Sequence, residues 1–193
     1  MTGRSVRPSK ISRDELLQRC ARTFKRHGYH GTTMDTLAQA CDLTKAAFYH
    51  HYPNKDSLLR DVLAWSHERV SQTLFALAYD ESKPAAQRLA MMGERAKRLF
   101  QDDSIGCLMG VVAVDAAYGN QALMEPIRHF MDDWANAFSH LLGERHGTAQ
   151  APQLARQLVA DFEGAILLAR IYNDTRYINR VCARALRELS DTQ

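Results

Sequence analysis

Proline is scarce in this chain, 5 in 193 residues, and glycine is used only 10 times, which argues against a turn-rich all-β fold. No apolar run approaches the ~18 residues that a membrane span requires. No stretch alternates polar and apolar residues as a half-buried strand would. The first residues, MTGRSVRPSKIS, carry arginines but no apolar core, so they do not read as a secretory signal. The four cysteines, Cys20, Cys41, Cys107 and Cys182, stand far apart with no C-x-x-C pair. That spacing speaks against a disulfide framework or a zinc knuckle, and for a reducing cytoplasm. There is also no G-x-S-x-G, no Walker loop, no dinucleotide fingerprint, no internal repeat and no low-complexity tract. Nothing in the chain implies a cofactor.

What is present is helical. Hydrophobic residues make up 46% of the chain, enough for one substantial core or two small ones. Ser12 followed by Glu15 has the form of a capping box, and Leu16, Leu17, Cys20, Ala21 and Phe24 then recur at helical spacing up to Gly28. Thr33 can cap a second, short helix with Met34, Leu37, Ala38 and Cys41 inward. Thr44 offers a third cap before KAAFYHHY, which must end at Pro53. Two short helices about four residues apart are the helix-turn-helix pattern. From Lys55 onward the chain reads as long amphipathic helices, so the expectation is all-α, with about nine helices.

Charge is unevenly spread. Residues 1–71 hold 12 Lys and Arg against 7 Asp and Glu, and the remainder 13 against 15. The excess positive charge therefore sits in the first third, a weak pointer to a polyanionic partner.

The third helix concentrates aromatic and imidazole side chains in Phe48–Tyr52. Phe48 and Tyr52, four apart, share a face that can pack inward. Lys45, Ala46, Ala47, Tyr49 and His50 lie toward the other side, a mixture of cation, small residues and hydrogen-bonding rings that suits a major groove. Thr32, Thr33, Thr44 and Lys55 sit at helix starts, where free N–H groups and hydroxyls favour phosphate. The competing reading is that Tyr and His merely cover a small core.

The segment 12–65 resembles the N-terminal DNA-binding domain of the TetR family of transcriptional repressors. The resemblance rests on F-x-x-x-G-Y-x-x-T-T from Phe24 to Thr33, LAQAC before the turn, and TKAAFYHHYPNKDSL after it. It implies that Thr33 to Tyr52 is the helix-turn-helix and that Tyr49, His50 and Lys55 occupy DNA-contact positions on double-stranded operator DNA. Ala47 stands where the family often has threonine. Asp42 stands where it usually has glycine, and Asp tolerates a left-handed turn better than most residues.

The resemblance further implies a flexible basic arm over residues 1–10, a reading head over 11–71, and a ligand-binding and dimerisation domain over 72–193. It implies an unknown small-molecule effector that releases the operator, and a homodimer through the last two helices. Compatible stripes are Leu158, Phe162, Ala165, Leu168 and Ala169, then Ile178, Val181, Cys182, Ala185, Leu186 and Leu189, although both could instead close the monomer core. Candidate effector-pocket residues are Cys107, Asp115, Tyr118, Trp134, Phe138, Phe162, Ile166 and Arg170, of which Asp115 could equally cap a neighbouring helix. The G-C-L helix start at Cys107 resembles a subset of these regulators that sense electrophiles or oxidants, and a helix N-terminus lowers a thiol pKa. Two other readings stand beside this one. Glu125, His129, Asp132 and Asp133 lie within three turns and could hold a metal in a helical enzyme, or be a solvated charged face. The chain could also be a binding module that has lost its DNA contacts.

Overall fold

The Ser12 hydroxyl accepts the Glu15 N–H at 3.1 Å, and from that cap α1 runs Arg13–His27 with Leu16, Leu17, Cys20 and Phe24 buried. The computed structural model describes residues 11–116 and 119–190. α2 (Met34–Ala40) and α3 (Lys45–His51) follow, then α4 (Lys55–Thr73), whose cap is the Asn54 side-chain oxygen Oδ1 accepting from Ser57 N–H at 2.8 Å. Leu17, Phe24, Leu37, Phe48, Leu58 and Leu63 are fully buried and form the centre of this first layer. The basic arm expected over residues 1–10 lies outside the described residues.

α4 tightens at Leu74 into a 3-10 turn, Phe75–Tyr79. Buried Arg88 explains the shape: its guanidinium donates to the Ala78 carbonyl at 2.5 Å and pairs with Glu144, pinning the turn between α5 (Ala85–Gln101) and the helix that carries Glu144. α6 (Leu108–Ala116) buries Met109, Val112 and Ala116, yet Val114 stands 87% exposed, so this apolar helix is not buried all round. α7 (Met124–Tyr172) is the long element against which α4, α5, α6 and α8 (Arg176–Ser190) pack. At Gly147 its backbone leaves helical geometry (φ 73°, ψ 165°), a left-handed conformation that favours glycine. The described residues thus hold eight helices, the seventh in two halves, where about nine were expected. None contains a strand, and none of the helices is long and apolar enough to cross a membrane.

Part of the apolar stripes read as a dimer interface turns inward, while Leu168 of the first stays exposed and Val181, Leu186 and Leu189 of the second are half-buried. Leu158, Phe162, Ala165 and Ala169, with Ile178, Cys182 and Ala185, are buried within the single chain. The face of α7 that remains open takes in Leu168 of the first stripe. It carries Leu167, Leu168, Ile171 and Tyr172, exposed at 58%, 40%, 61% and 63%.

Candidate nucleic-acid interface

α2 is fixed by a reciprocal cap: Thr33 N–H donates to the Thr36 hydroxyl at 2.9 Å, and Thr36 N–H returns to Thr33 Oγ1 at 3.1 Å. The turn passes through Asp42 at φ 55°, the left-handed position expected for it, and its carboxylate is held by Arg19 at 2.5 Å. Thr44 then caps α3 by accepting Ala47 N–H at 3.2 Å. Phe48 is fully buried beneath α3, and Tyr52 donates to Asp61 at 2.9 Å, where burial pushes its phenol up to about 12. With that side anchored, Thr44, Lys45, Ala46, Tyr49 and His50 all face outward, while Ala47 is half-buried. Lys45 bridges to Asp35 at 2.9 Å and lies 6.0 Å from the Tyr49 ring, and the Asp35 hydrogen bond raises its pKa. The α3 face therefore presents one fixed cation beside an aromatic hydroxyl and an imidazole.

Two expected contact residues have partners within the head. Thr32 is fully buried, and its hydroxyl donates to the Gly28 carbonyl at 2.6 Å, so its side chain does not reach the surface. Lys55 donates to the carbonyls of Tyr29 and Thr32 at 2.7 and 2.9 Å and sits 4.1 Å over the Tyr29 ring. That spends two of its three N–H donors on the loop before α2. Thr33 is exposed but engaged in its cap.

The candidate pocket residues separate into three groups. Asp115 and Arg170 are joints: Asp115 accepts His30 N–H at 2.7 Å, and Arg170 donates to the carbonyls of Lys25 and Arg26 at 2.9 Å each. Gly28 at this joint has φ 73°, and a Cβ there would lie 2.7 Å from the Asp115 carboxylate, so both backbone and space require glycine. Trp134, Phe138 and Phe162 stack together, with ring centroids 5.6 to 6.0 Å apart, and line a cavity of about 110 Å³ beside Cys182. Ile166 is buried but lines neither this cavity nor the next. Cys107 alone borders the larger cleft, about 380 Å³, between α1, α4, α5 and α6. Tyr118 lies outside the described residues.

The expectation of a low-pKa thiol at Cys107 is overturned. The side chain is 5% exposed, and burial, with the Glu163 carboxyl next to it, pushes the thiol well up, outweighing the Gly110 N–H that points at its sulfur at 3.5 Å. Among the described residues no three His, Cys, Asp or Glu side chains are placed to hold a metal, and Asp133 instead pairs with His67 at 2.8 Å.

Residues 16–62 match the model of the bacterial regulatory proteins of the tetR family, and residues 84–184 match that of the LmrA/YxaF-like transcriptional regulator C-terminal domain. The chain belongs to the TetR family. It is a DNA-binding transcriptional regulator. The repressor DhaR of Mycobacterium sp. (strain GP1) is 26% identical over 165 residues, 82% of either chain. The repressor KstR2 of Mycolicibacterium smegmatis is 36% identical over 66 residues, about a third of each. Among solved structures, a TetR regulator from Legionella pneumophila superimposes with a TM-score of 0.84 at 19% identity, covering 94% of this chain and all of that one.

Reasoning from sequence missed the network joining the TetR-type head to the rest. Lys25, 7% exposed, donates to the carbonyls of Leu99, Phe100 and Asp102 at the end of α5. Arg22 forks onto Asp102 with two 3.0 Å bonds, and Arg26 reaches Asp103. At the start of α4, Asp56 accepts from Tyr29 at 2.5 Å and from Asn120 at 3.1 Å. The sequence signal is the run of cations along the last two turns of α1.

Proposed function

We propose that this chain is a homodimeric repressor whose operator DNA is released when a small molecule occupies the sensor half. The observation that carries this reading is the outward face of α3, where Lys45, Ala46, Tyr49 and His50 are exposed on a helix locked from behind by Phe48. Lys45, Tyr49 and His50 offer donors to phosphates and base edges, and Ala46 and Ala47 allow close approach and contact with thymine methyls. Thr33 and Thr44, at the starts of α2 and α3, direct backbone N–H groups at phosphate. Residues 11–71 form the reading head and 72–193 the sensor and dimerisation part. The head acts on the chromosome, which places the protein in the cytoplasm.

One seven-residue helix reads too few bases to be specific alone, so two heads on successive major grooves, about 34–36 Å apart, are required. The open stripe Gly164, Leu167, Leu168 and Ile171 on α7 supports a second copy as its occupant: a Cβ on Gly164 would meet nothing within 4 Å, leaving room for a partner helix. Repression rather than activation is favoured by the relatives named as repressors. Release needs only that the effector bind two arrangements of the heads unequally, with coupling of ~1–3 kcal/mol. The joints at Lys25, Asp115 and Arg170 are the route by which movement in the sensor reaches α1. Burial of Cys107 favours a reversible ligand over an electrophile.

Selection of bound duplexes from a random-sequence pool tests the reading. The expected result is an inverted repeat bound by an even number of chains. Absence of any enriched sequence, or enrichment of one unrepeated half-site, overturns it.

A further inference from the structure

The cleft of about 380 Å³ between α1, α4, α5 and α6 is charged in one sense. Arg22, Lys25, Arg69, Arg95 and Arg98 line it against one carboxylate, Asp102. Arg22 is taken by Asp102, Lys25 by three backbone carbonyls, and Arg69 lies 5.0 Å over the Trp65 ring. Arg95 and Arg98, one turn apart on α5, are exposed and have no ion-pair partner within 4 Å among the described residues; Glu94, whose charge Arg98 feels, is bonded to Lys97 at 2.6 Å. Beneath this rim the lining is apolar: Val70, Phe100, Met109 and Phe130 are all buried.

A pair of open guanidiniums over an apolar floor is complementary to a molecule with a carboxylate at one end and hydrocarbon at the other, since the guanidinium fork matches carboxylate geometry. The volume agrees. Pockets for organic ligands run from ~300 Å³ upward, which this cleft exceeds and the aromatic cavity, at about 110 Å³, does not. We propose that this cleft is the effector site, and that it selects organic carboxylates with an acyl or aryl body, Arg95 and Arg98 holding the anion. The assignment rests on the regulator reading above and names its ligand class.

The location also supplies a coupling device. Arg22 and Lys25 belong to α1 of the reading head, yet they border the cleft. A ligand carboxylate near Arg22 competes with Asp102 for the same guanidinium. Exchange of one carboxylate for the other loosens α1 from the end of α5 and changes the setting of the head.

The chain has two tryptophans, and they divide the two sites: Trp65 lines the cleft and Trp134 the aromatic cavity. In a Trp134→Phe variant, without DNA, Trp65 emission is followed while decanoate or 1-decanol is added. Decanoate should saturate the signal at least tenfold more tightly than decanol. In Trp134→Phe carrying Arg95→Gln and Arg98→Gln, that preference should disappear while decanol behaves as before, which also shows that the fold is intact. Equal response to the two compounds, saturation by neither, survival of the preference in the double substitution, or a response only from Trp134 in Trp65→Phe overturns the assignment. Duplex binding is measured separately by anisotropy. A protein that binds its selected duplex without carboxylate preference loses the cleft assignment alone; one with the preference but no duplex binding loses the regulator reading alone.

Discussion

The guanidinium of Arg170, in the last turn of α7, donates to the backbone carbonyls of Lys25 and Arg26, 2.9 Å each, at the end of the reading head's first helix. A helix C-terminus leaves its last carbonyls without intrahelical partners and carries partial negative charge, so a cation placed there satisfies both demands. Just past the helix end the sign is reversed: the His30 N–H meets the Asp115 carboxylate at 2.7 Å. α6 and α7 thus hold the exit of α1 with one cation and one anion.

Arg170→Met should destabilise the protein by about 1 kcal/mol, the net worth of such bonds where water can partly replace them. Urea denaturation measures it. Arg170→Lys should recover less than half of the loss, because the shorter lysine lacks the planar guanidinium that aims one NH2 group at each carbonyl. Full recovery by lysine would show that charge alone holds the joint.

The turn at Asp42 gives a second test. At φ 55° a side chain with a Cβ costs about 1 kcal/mol, and Asp pays less than most. Asp42→Gly should be close to neutral in thermal denaturation, whereas Asp42→Ala should destabilise by about 1 kcal/mol and lose the Arg19 contact. Equal effects of the two would mean that the ion pair, not the backbone, fixes the turn.

Burial lowers the Lys25 ammonium to about 8, against an ordinary 10.5. Below pH 8 the lysine is charged in folded and unfolded chains alike, and the folded state bears the full cost of burying it. Between pH 8 and 10.5 the unfolded chain binds more protons, so the lysine's contribution to stability rises with pH, and above 10.5 it levels off. Denaturation of wild type and Lys25→Met across this window should show wild type gaining relative to the variant. A constant difference would contradict a depressed lysine pKa.

All four cysteines are buried, and burial raises Cys107 well above the ordinary thiol range. Native protein at pH 7.5 should react with an aromatic disulfide reagent only as fast as it unfolds or opens locally. A fast phase lost in Cys107→Ser would restore a sensing role for this thiol.

The reading head was legible because its signals are local. Ser12, Thr33 and Thr44 were recognisable caps, Phe48 and Tyr52 a one-turn inward pair, and Asp42 a residue able to bear positive φ. Thr32 was misplaced, and the carbonyl partners of Lys55 went unseen, because both belong to a loop whose path no periodicity shows. The C-terminal half was legible only as helices. Asp115 and Arg170 stood out as polar residues in apolar company, but their partners lie 85 and about 145 residues away in sequence. The apolar stripes of α7 and α8 were real, yet spacing alone could not say which face meets the chain's own core and which a partner.

The central claim is that the outer face of α3 reads DNA, and a salt-dependent anisotropy titration on the selected duplex tests it most directly. Wild type should bind at nanomolar concentration with a steep salt slope. Lys45→Ala should lower that slope by about one, and Tyr49→Phe should weaken binding roughly tenfold at every salt concentration. If both variants keep the affinity and the slope of wild type, α3 does not face the duplex and the account of this protein's interface is wrong.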